Sequence, residues 1–208
     1  MNTRGIILTA ILVIAAMAGL WLQQQQARKA LENAPTATEV IGAQMLAGQA
    51  TAGLVPAFEL ADLEGNLRSL SDWNGKPRIV NFWATWCAPC RREIPLLKKM
   101  QETHTDLDLQ IIGVAVDELE PVLQYATDMQ FNYTILVGQE DAMLAAEAFG
   151  IEFLALPFTF VVAADGELLA THIGELLPED ADVIVRVLHQ LKNGEIDNPG
   201  ARRILATG

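Results

Sequence analysis

Two kinds of hydrophobic pattern alternate along the chain from about residue 55 onward. Short apolar runs rich in β-branched and aromatic residues are typical of strands, whereas apolar residues that recur every three or four positions are typical of helices. The predicted strands cover residues 58–62, 67–70, 78–83, 109–116, 133–137, 158–163 and 168–172. The predicted helices run from a pair of cysteines to about residue 104, and over residues 118–129, 141–149 and 179–192.

The order of these elements predicts the fold class. Turns that contain Gly65 and Gly166 join the first two and the last two strands as hairpins. Between the hairpins, strands alternate with helices, which is typical of parallel βαβ units with right-handed connections. We therefore expect an α/β fold in which helices flank a central mixed β-sheet.

The longest apolar stretch precedes this domain and covers residues 5–22. As a helix its 18 uncharged residues would extend about 27 Å, close to the roughly 30 Å core of a bilayer. We expect an uncleaved anchor that leaves the following domain outside the cytoplasm; the alternative is a signal peptide cleaved at Ala16-Met17-Ala18. The expected organisation is an anchor and flank at 1–35, a linker at 36–54, a domain at 55–192 and a frayed tail at 193–208.

Composition and charge narrow the range of functions. The chain of 208 residues carries 14 basic and 26 acidic side chains, which gives a formal charge of −12 at pH 7. A protein that binds nucleic acid normally presents a basic face, so we expect no nucleic-acid partner. The chain has two cysteines, too few for a disulfide-rich scaffold or for a zinc site made of cysteines alone.

The two cysteines, Cys87 and Cys90, are three positions apart at the predicted start of a helix that follows a buried strand. Thiols at this spacing can close a small disulfide and exchange it with a partner. The positive end of a helix favours a thiolate, and Arg91 and Arg92 add positive charge. We expect Cys87 to be the exposed nucleophile and Cys90 the resolving thiol, with Pro89 in the first helical turn.

Other interpretations of the pair remain open, namely buried structural cysteines, a peroxidatic cysteine or metal ligands. A zinc site would need two further ligands, and the three histidines, His104, His172 and His189, show no ligand spacing among themselves. We therefore expect no metal at the cysteines.

Residues 79–95, with the sequence IVNFWATWCAPCRREIP, resemble the active-site segment of the thioredoxin superfamily. More narrowly, they resemble the membrane-anchored thioredoxin-like proteins of the TlpA/ResA/DsbE type, over about residues 54–192. The resemblance includes residues 55–76, which are similar to the broader redoxin group, and Pro95, where thioredoxins carry a helix proline. It implies a thioredoxin-like fold, with a central mixed β-sheet flanked by helices, an N-terminal β-hairpin and an inserted helix–strand element.

The resemblance also implies roles for residues around the cysteines. Pro157 corresponds to a cis-proline that faces the disulfide, and the main chain of Leu156 to the segment that pairs with substrate. Glu93 corresponds to an active-site glutamate, and we expect it to be partly buried, to have a raised pKa and to exchange the proton of Cys90. Asn81 replaces the buried aspartate of cytosolic thioredoxins and cannot take up a proton.

Trp86, Ala88 and Pro89 are implied to contact the substrate beside the disulfide. The loop before Pro157 departs from the family pattern, because seven positions separate Gly150 from this proline. The loop is therefore longer and more apolar than usual. We expect either a more hydrophobic docking groove or apolar side chains that pack inward.

The function implied by the resemblance is that of a thiol–disulfide oxidoreductase in the cytoplasmic membrane, with a periplasmic domain that reduces protein disulfides, for example in cytochrome c maturation. We expect no cofactor other than the Cys87–Cys90 disulfide, and a membrane thiol reductase as the electron donor. Membrane contact is expected through residues 5–22. Three alternatives remain: an oxidant that forms disulfides, a metallochaperone that binds Cu(I) through the cysteines with His172 or Met143, and a subunit whose redox pair regulates assembly.

Overall fold

A computed structural model describes residues 53, 55–56, 58–150 and 155–207. The predicted anchor at residues 5–22 lies outside these described residues. Within the described residues, no helix combines the length and the hydrophobicity that a membrane crossing requires.

The described residues form a mixed sheet of seven strands in the order β2-β1-β5-β4-β3-β6-β7. The strands are β1 (Glu59–Asp62), β2 (Leu67–Ser69), β3 (Arg78–Trp83), β4 (Gln110–Val116), β5 (Thr134–Gly138), β6 (Phe158–Val162) and β7 (Leu168–Ile173). The central strands β3, β4 and β5 are parallel, and the hairpins β1–β2 and β6–β7 add antiparallel strands at the two edges. The sheet therefore has the mixed architecture that the order of the elements predicts.

Five helices pack on this sheet within the described part of the chain. They are α1 (Ala88–Thr103), α2 (Leu119–Met129), α3 (Glu140–Ala148), α4 (Pro178–Lys192) and α5 (Asn198–Leu205). Short 3-10 helices occur at Leu70–Trp73 and Thr105–Leu107. α1 begins directly after the loop that follows β3, so the cysteine pair lies where a central strand meets a helix.

The two faces of the sheet carry separate apolar layers. On one face, α3 packs against a layer that includes Phe82 and Phe158, whose rings stack with centroids 4.6 Å apart. On the other face, α1 is held by Ile94, Leu97 and Met100, all buried. Because these are the residues whose spacing predicts the helix, burial of one apolar stripe fixes the orientation of α1.

Within the described residues, the structure contains every strand and helix predicted from residue 55 onward, with bounds within one residue of those expected. The expectation of a frayed C-terminal tail is wrong, because the tail contains α5. Asp197 caps this helix by accepting a hydrogen bond from the Gly200 amide at 2.8 Å. Ala201 is fully buried in the apolar layer that α4 also joins, and Arg202 forms an ion pair with Glu167. Tertiary contacts thus order this segment.

Candidate active site

Cys87 and Cys90 lie at the carboxyl end of β3, where α1 begins. Cys87 is the N-cap of α1 and Cys90 lies in its first turn, and a disulfide joins the two side chains. Cys87 Sγ also accepts a hydrogen bond from the Cys90 amide at 3.3 Å. Cys87 is 4% exposed and Cys90 is 0% exposed. Cys87 is therefore buried rather than exposed as expected, yet it is the more exposed of the two cysteines.

The positive charge expected near the cysteines is partly compensated. The Arg92 guanidinium pairs with Glu175, whose carboxylate oxygens lie 3.0 and 2.9 Å from Nε. Arg91 is exposed to solvent. The amino end of α1 is therefore the main feature that favours a thiolate at Cys87.

Glu93 lies three residues after Cys90 on the buried side of α1 and is 1% exposed. Its Oε1 accepts a hydrogen bond from Asn81 Nδ2 at 2.8 Å, and its Oε2 accepts one from the Leu176 amide at 2.6 Å. Burial raises the pKa of Glu93 from 4.5 to about 7, although both hydrogen bonds lower it; the nearby charge of Glu175 raises it further. The carboxyl group is more buried than expected, and burial shifts its pKa in the expected direction.

Asn81 on β3 lies next to the carboxyl group of Glu93 and donates a hydrogen bond to it. Its Nδ2 also donates to Thr159 Oγ1 at 3.0 Å, whereas its Oδ1 is buried and has no hydrogen-bond partner in the structure. An amide carries donors on one side and an acceptor on the other. If the side-chain amide of Asn81 rotated by half a turn, its Oδ1 would accept a hydrogen bond from a protonated Glu93. Asn81 can therefore form a hydrogen bond with Glu93 in either protonation state of the carboxyl group.

Two more buried polar atoms, Trp83 Nε1 and the Tyr133 hydroxyl, also have no hydrogen-bond partner in the structure. Both side chains border Gly113 on β4, where a Cβ atom would lie 3.0 Å from Trp83 Nε1 and 3.2 Å from a Tyr133 ring carbon. Gly113 is the register partner of Asn81. Burial and, to a smaller degree, the charge of Glu93 hold the Tyr133 pKa well above its ordinary value. A patch of polar groups therefore extends from Glu93 across the sheet.

The peptide bond between Leu156 and Pro157 is cis, as the resemblance implies. β6 begins at Phe158, which is in register with Phe82 near the end of β3. Pro157 therefore lies beside the loop that leads to the cysteines. Leu156 is partly buried against the apolar cluster that contains both cysteines, which favours inward packing for this residue. Residues 151–154 of the same loop lie outside the described residues.

Exposed apolar side chains border this edge of the sheet. Trp86 is 67% exposed just before the cysteine pair, and Ile173, the last residue of β7, is 65% exposed. Ile173 is in register with the first residue of β6, so it lies beside Pro157. Ala88 is exposed and Pro89 is half-buried next to the disulfide. The sequence identifies Trp86 but not Ile173, because an apolar residue at a strand end has no distinctive pattern.

Thr85 has a structural role that its sequence position does not reveal. Its amide and its hydroxyl both donate to Asp117 Oδ2, at 2.9 and 2.6 Å. Asp117 directly follows β4. This contact ties the cysteine loop to the neighbouring strand.

The two residues considered as additional copper ligands lie on opposite faces of the sheet. His172 on β7 is in register with Thr159, whose hydroxyl contacts Asn81 below α1. Met143 belongs to α3, which packs against the other face. The structure therefore does not bring these two side chains together at the cysteines.

Comparison with known proteins places these features in a family. Residues 52–171 match the AhpC/TSA family. The chain is 32% identical over 134 residues to the thiol-disulfide oxidoreductase ResA of Geobacillus kaustophilus, a match that covers 64% of this chain and 75% of that protein.

Solved structures show the same fold. A thioredoxin-family thiol:disulfide interchange protein from Chlorobium tepidum TLS superposes with a TM-score of 0.60 at 30% identity, covering 67% of this chain and 97% of that one. A thiol:disulfide interchange protein from Bacteroides sp. also gives 0.60, at 28% identity, covering 70% and 94% of the two chains. The chain therefore belongs to the AhpC/TSA family and, within it, to the thiol–disulfide oxidoreductases of the ResA type, which have a thioredoxin-like fold.

Proposed function

We propose that this protein is a membrane-tethered reductant of disulfides in proteins outside the cytoplasm. The proposal rests on the order of three groups along α1. Cys87 is the N-cap, Cys90 lies in the first turn, and the buried carboxyl group of Glu93 lies one turn further on. This arrangement provides a nucleophile, a resolving thiol and a proton acceptor in that order.

The reaction begins from the dithiol form with the attack of Cys87 on the client. The Cys87 thiolate attacks one sulfur of the client disulfide, a new sulfur–sulfur bond forms, and the other client sulfur leaves as a thiolate. The amino end of α1 stabilises the attacking thiolate. The product is a mixed disulfide between Cys87 and the client.

Cys90 then resolves the mixed disulfide. Its thiol gives its proton to the Glu93 carboxylate, and the resulting thiolate attacks Cys87 Sγ, which releases the second client thiolate. The client gains two electrons and two protons in total, and the enzyme retains the Cys87–Cys90 disulfide. A group with a pKa of about 7 suits this exchange near neutral pH, because both of its protonation states are populated.

The charges around the disulfide support reduction as the direction of the reaction. A strong oxidant stabilises its reduced form, usually by favouring the thiolate. Here Ala88 and Pro89 contribute no charge between the cysteines, Arg92 is paired with Glu175, and Glu93 adds a carboxyl group. These features give the thiolate little stabilisation beyond that of the helix end, so the disulfide form is favoured.

Client binding is assigned to the surface beside the disulfide. The main chain of Leu156, next to Pro157, offers a backbone edge with which an extended client segment can pair as a strand does. Trp86 and Ile173 flank this edge with exposed apolar surface, and Ala88 and Pro89 lie next to the disulfide. An extended, apolar segment around the client cysteine fits this surface.

The proposed tether rests on the amino-terminal sequence, and the proposed electron donor rests on the location of the reaction. The uncharged stretch at residues 5–22 supports a single span in the cytoplasmic membrane, with the catalytic domain on the periplasmic side. A reductant outside the cytoplasm needs electrons from a membrane thiol reductase, and cytochrome c maturation is one process that consumes such electrons. No cofactor beyond the cysteine pair takes part in the reaction.

Reduction of a protein disulfide, measured in the purified protein with a dithiol electron donor, tests this function. We expect catalytic turnover by the native protein, none by Cys87→Ser, and a trapped Cys87–client mixed disulfide with Cys90→Ser. Turnover by Cys87→Ser would contradict the proposal. So would tight Cu(I) binding by both thiols of the native protein without turnover, which would indicate a metallochaperone.

A further inference from the structure

At the opposite end of α1 from the disulfide, two histidines and a carboxylate come together. His104 is the C-cap of α1, Asp106 lies in the short 3-10 helix that follows, and His189 lies in the last turn of α4. One ligand atom from each residue lies within 4.8 Å of the other two. His189 Nδ1 is 3.6 Å from Asp106 Oδ2, and the two imidazole centroids are 6.2 Å apart.

We infer that His104, Asp106 and His189 form a binding site for a divalent transition-metal ion of the zinc type. Imidazole nitrogens and a carboxylate oxygen bind Zn²⁺ at about 2.0–2.2 Å, in a tetrahedron whose corners are about 3.3 Å apart. The contact between His189 and Asp106 is already close to this spacing. The three ligand atoms lie within 4.8 Å of one another, and none of the residues is fully buried, so their side chains have room to rotate toward this spacing.

The electrostatic surroundings favour a cation at this position. α1 and α4 both direct their carboxyl ends toward the three residues, and a helix carries partial negative charge at that end. The Lys192 ammonium donates to the main-chain oxygen of Asp106 and not to its carboxylate. This hydrogen bond leaves both carboxylate oxygens of Asp106 available to a metal.

The proposed metal site is separate from the disulfide. Metal binding there is expected to change the stability of the fold rather than the thiol chemistry. α1 has 16 residues, so its two ends are about 24 Å apart. A metal bound at the far end does not compete with thiol chemistry; it joins the end of α1 to the end of α4. Because a ligand that binds only the folded chain stabilises it, the metal should raise the midpoint of thermal unfolding.

Zinc titration of the tag-free, full-length protein in its disulfide form tests the inference. In this form the thiols are oxidised, and the 208 residues include three histidines, so competing ligands are few. We expect saturable binding of one Zn²⁺ per chain and a rise in the unfolding temperature. His104→Ala and His189→Ala should each weaken binding more than about tenfold, because even changes outside the ligand shell cost about 10–100-fold.

His172→Ala is the matched control, because His172 also lies near a carboxylate, Asp180 at 3.9 Å, but has no second histidine beside it. It should bind Zn²⁺ as the native protein does. Circular dichroism and disulfide reductase activity establish that each variant is folded. Absence of saturable binding, or binding that the loss of His104 and His189 leaves unchanged, would overturn the inference without affecting the proposed redox function.

Discussion

Glu93 shows how one residue can link the stability of this fold to its chemistry. The carboxyl group is buried, and its two hydrogen-bond donors, Asn81 Nδ2 and the Leu176 amide, are both neutral. Neutral donors offset only part of the cost of burying a charge. The carboxyl group therefore holds its proton to higher pH than a carboxyl group in water does.

The pH dependence of the free energy of unfolding should reveal the ionisation of Glu93. Its folded pKa of about 7 exceeds its ordinary value of 4.5, so the folded protein keeps a proton that the unfolded chain releases between these values. The free energy of unfolding should therefore fall as pH rises from about 4.5 to about 7, by on the order of 3 kcal/mol, and stay lower above pH 7.

Urea unfolding of the disulfide form over this pH range measures the effect. Glu93→Gln should remove this part of the slope because the amide does not ionise. Glu102→Gln, which changes an exposed carboxyl of the same helix, should leave the slope in place. An equal slope in the native protein and Glu93→Gln would show that Glu93 titrates normally.

The reactivity of Cys90 should depend on the same carboxyl group. In a Cys87→Ser background, the rate at which Cys90 is alkylated should change with pH near the Glu93 pKa of about 7, because the carboxylate accepts the thiol proton. Adding Glu93→Gln should remove this inflection and leave the simple titration of a thiol. An unchanged pH profile would rule out proton exchange between the two groups.

At the scale of elements, local sequence patterns account for most of the fold. The run Arg78–Trp83 is buried throughout, and the three-residue spacing of Ile94, Leu97 and Met100 matches the buried side of α1. Such periodic burial is visible in a single sequence. The cysteine pair was identified from its spacing after a buried strand, and Glu93 from the family resemblance that the same contiguous segment carries.

Features that depend on distant parts of the chain were not predicted. α5 has only eight residues, so its apolar positions span too few turns to establish a helical period, and it is ordered by contacts such as that of Arg202 with Glu167 in the β6–β7 hairpin. His104 and His189 are separated by most of the domain, so their spacing in the sequence gives no sign of their contact. Ile173 and Asp117 reach the site in the same way, through sheet register and loop packing.

Among the strands and helices, Gly113 on β4 is the position where close packing can be tested most directly. A Cβ atom there would lie 2.8 Å from Ile135 Cδ1 and 3.0 Å from Trp83 Nε1, in the centre of the sheet below the active site. Gly113→Ala should therefore lower the free energy of unfolding by about 1–3 kcal/mol, as overpacking of a core does. Chemical denaturation measures this change, and a stability equal to that of the native protein would show that the space is larger.

At the scale of the whole molecule, exposed apolar side chains are found at both edges of the sheet, but only one edge adjoins the disulfide. Ile173 lies on β7 beside Pro157, whereas Leu67, 72% exposed, lies on β2 at the opposite edge. Substitutions at these two positions distinguish a role in client binding from a general effect of exposed hydrophobic surface.

Ile173→Ser should lower kcat/KM for a protein disulfide about fivefold, the effect of losing roughly 1 kcal/mol of interface contact. The loss should be smaller for a small-molecule disulfide, which does not cover the surface around Ile173. Leu67→Ser should change neither value. Equal losses for both substrates, or for both variants, would argue against a docking surface at this edge.

The reduction potential of the Cys87–Cys90 pair tests the central claim, that the protein is a reductant, most directly. Equilibration with glutathione or dithiothreitol buffers at pH 7 measures it, and Cys87→Ser, which cannot form the disulfide, is the control. We predict a potential of about −270 mV or lower, in the range of thioredoxin. A value near −120 mV, that of a strong oxidant, would contradict the account and assign the protein to disulfide formation.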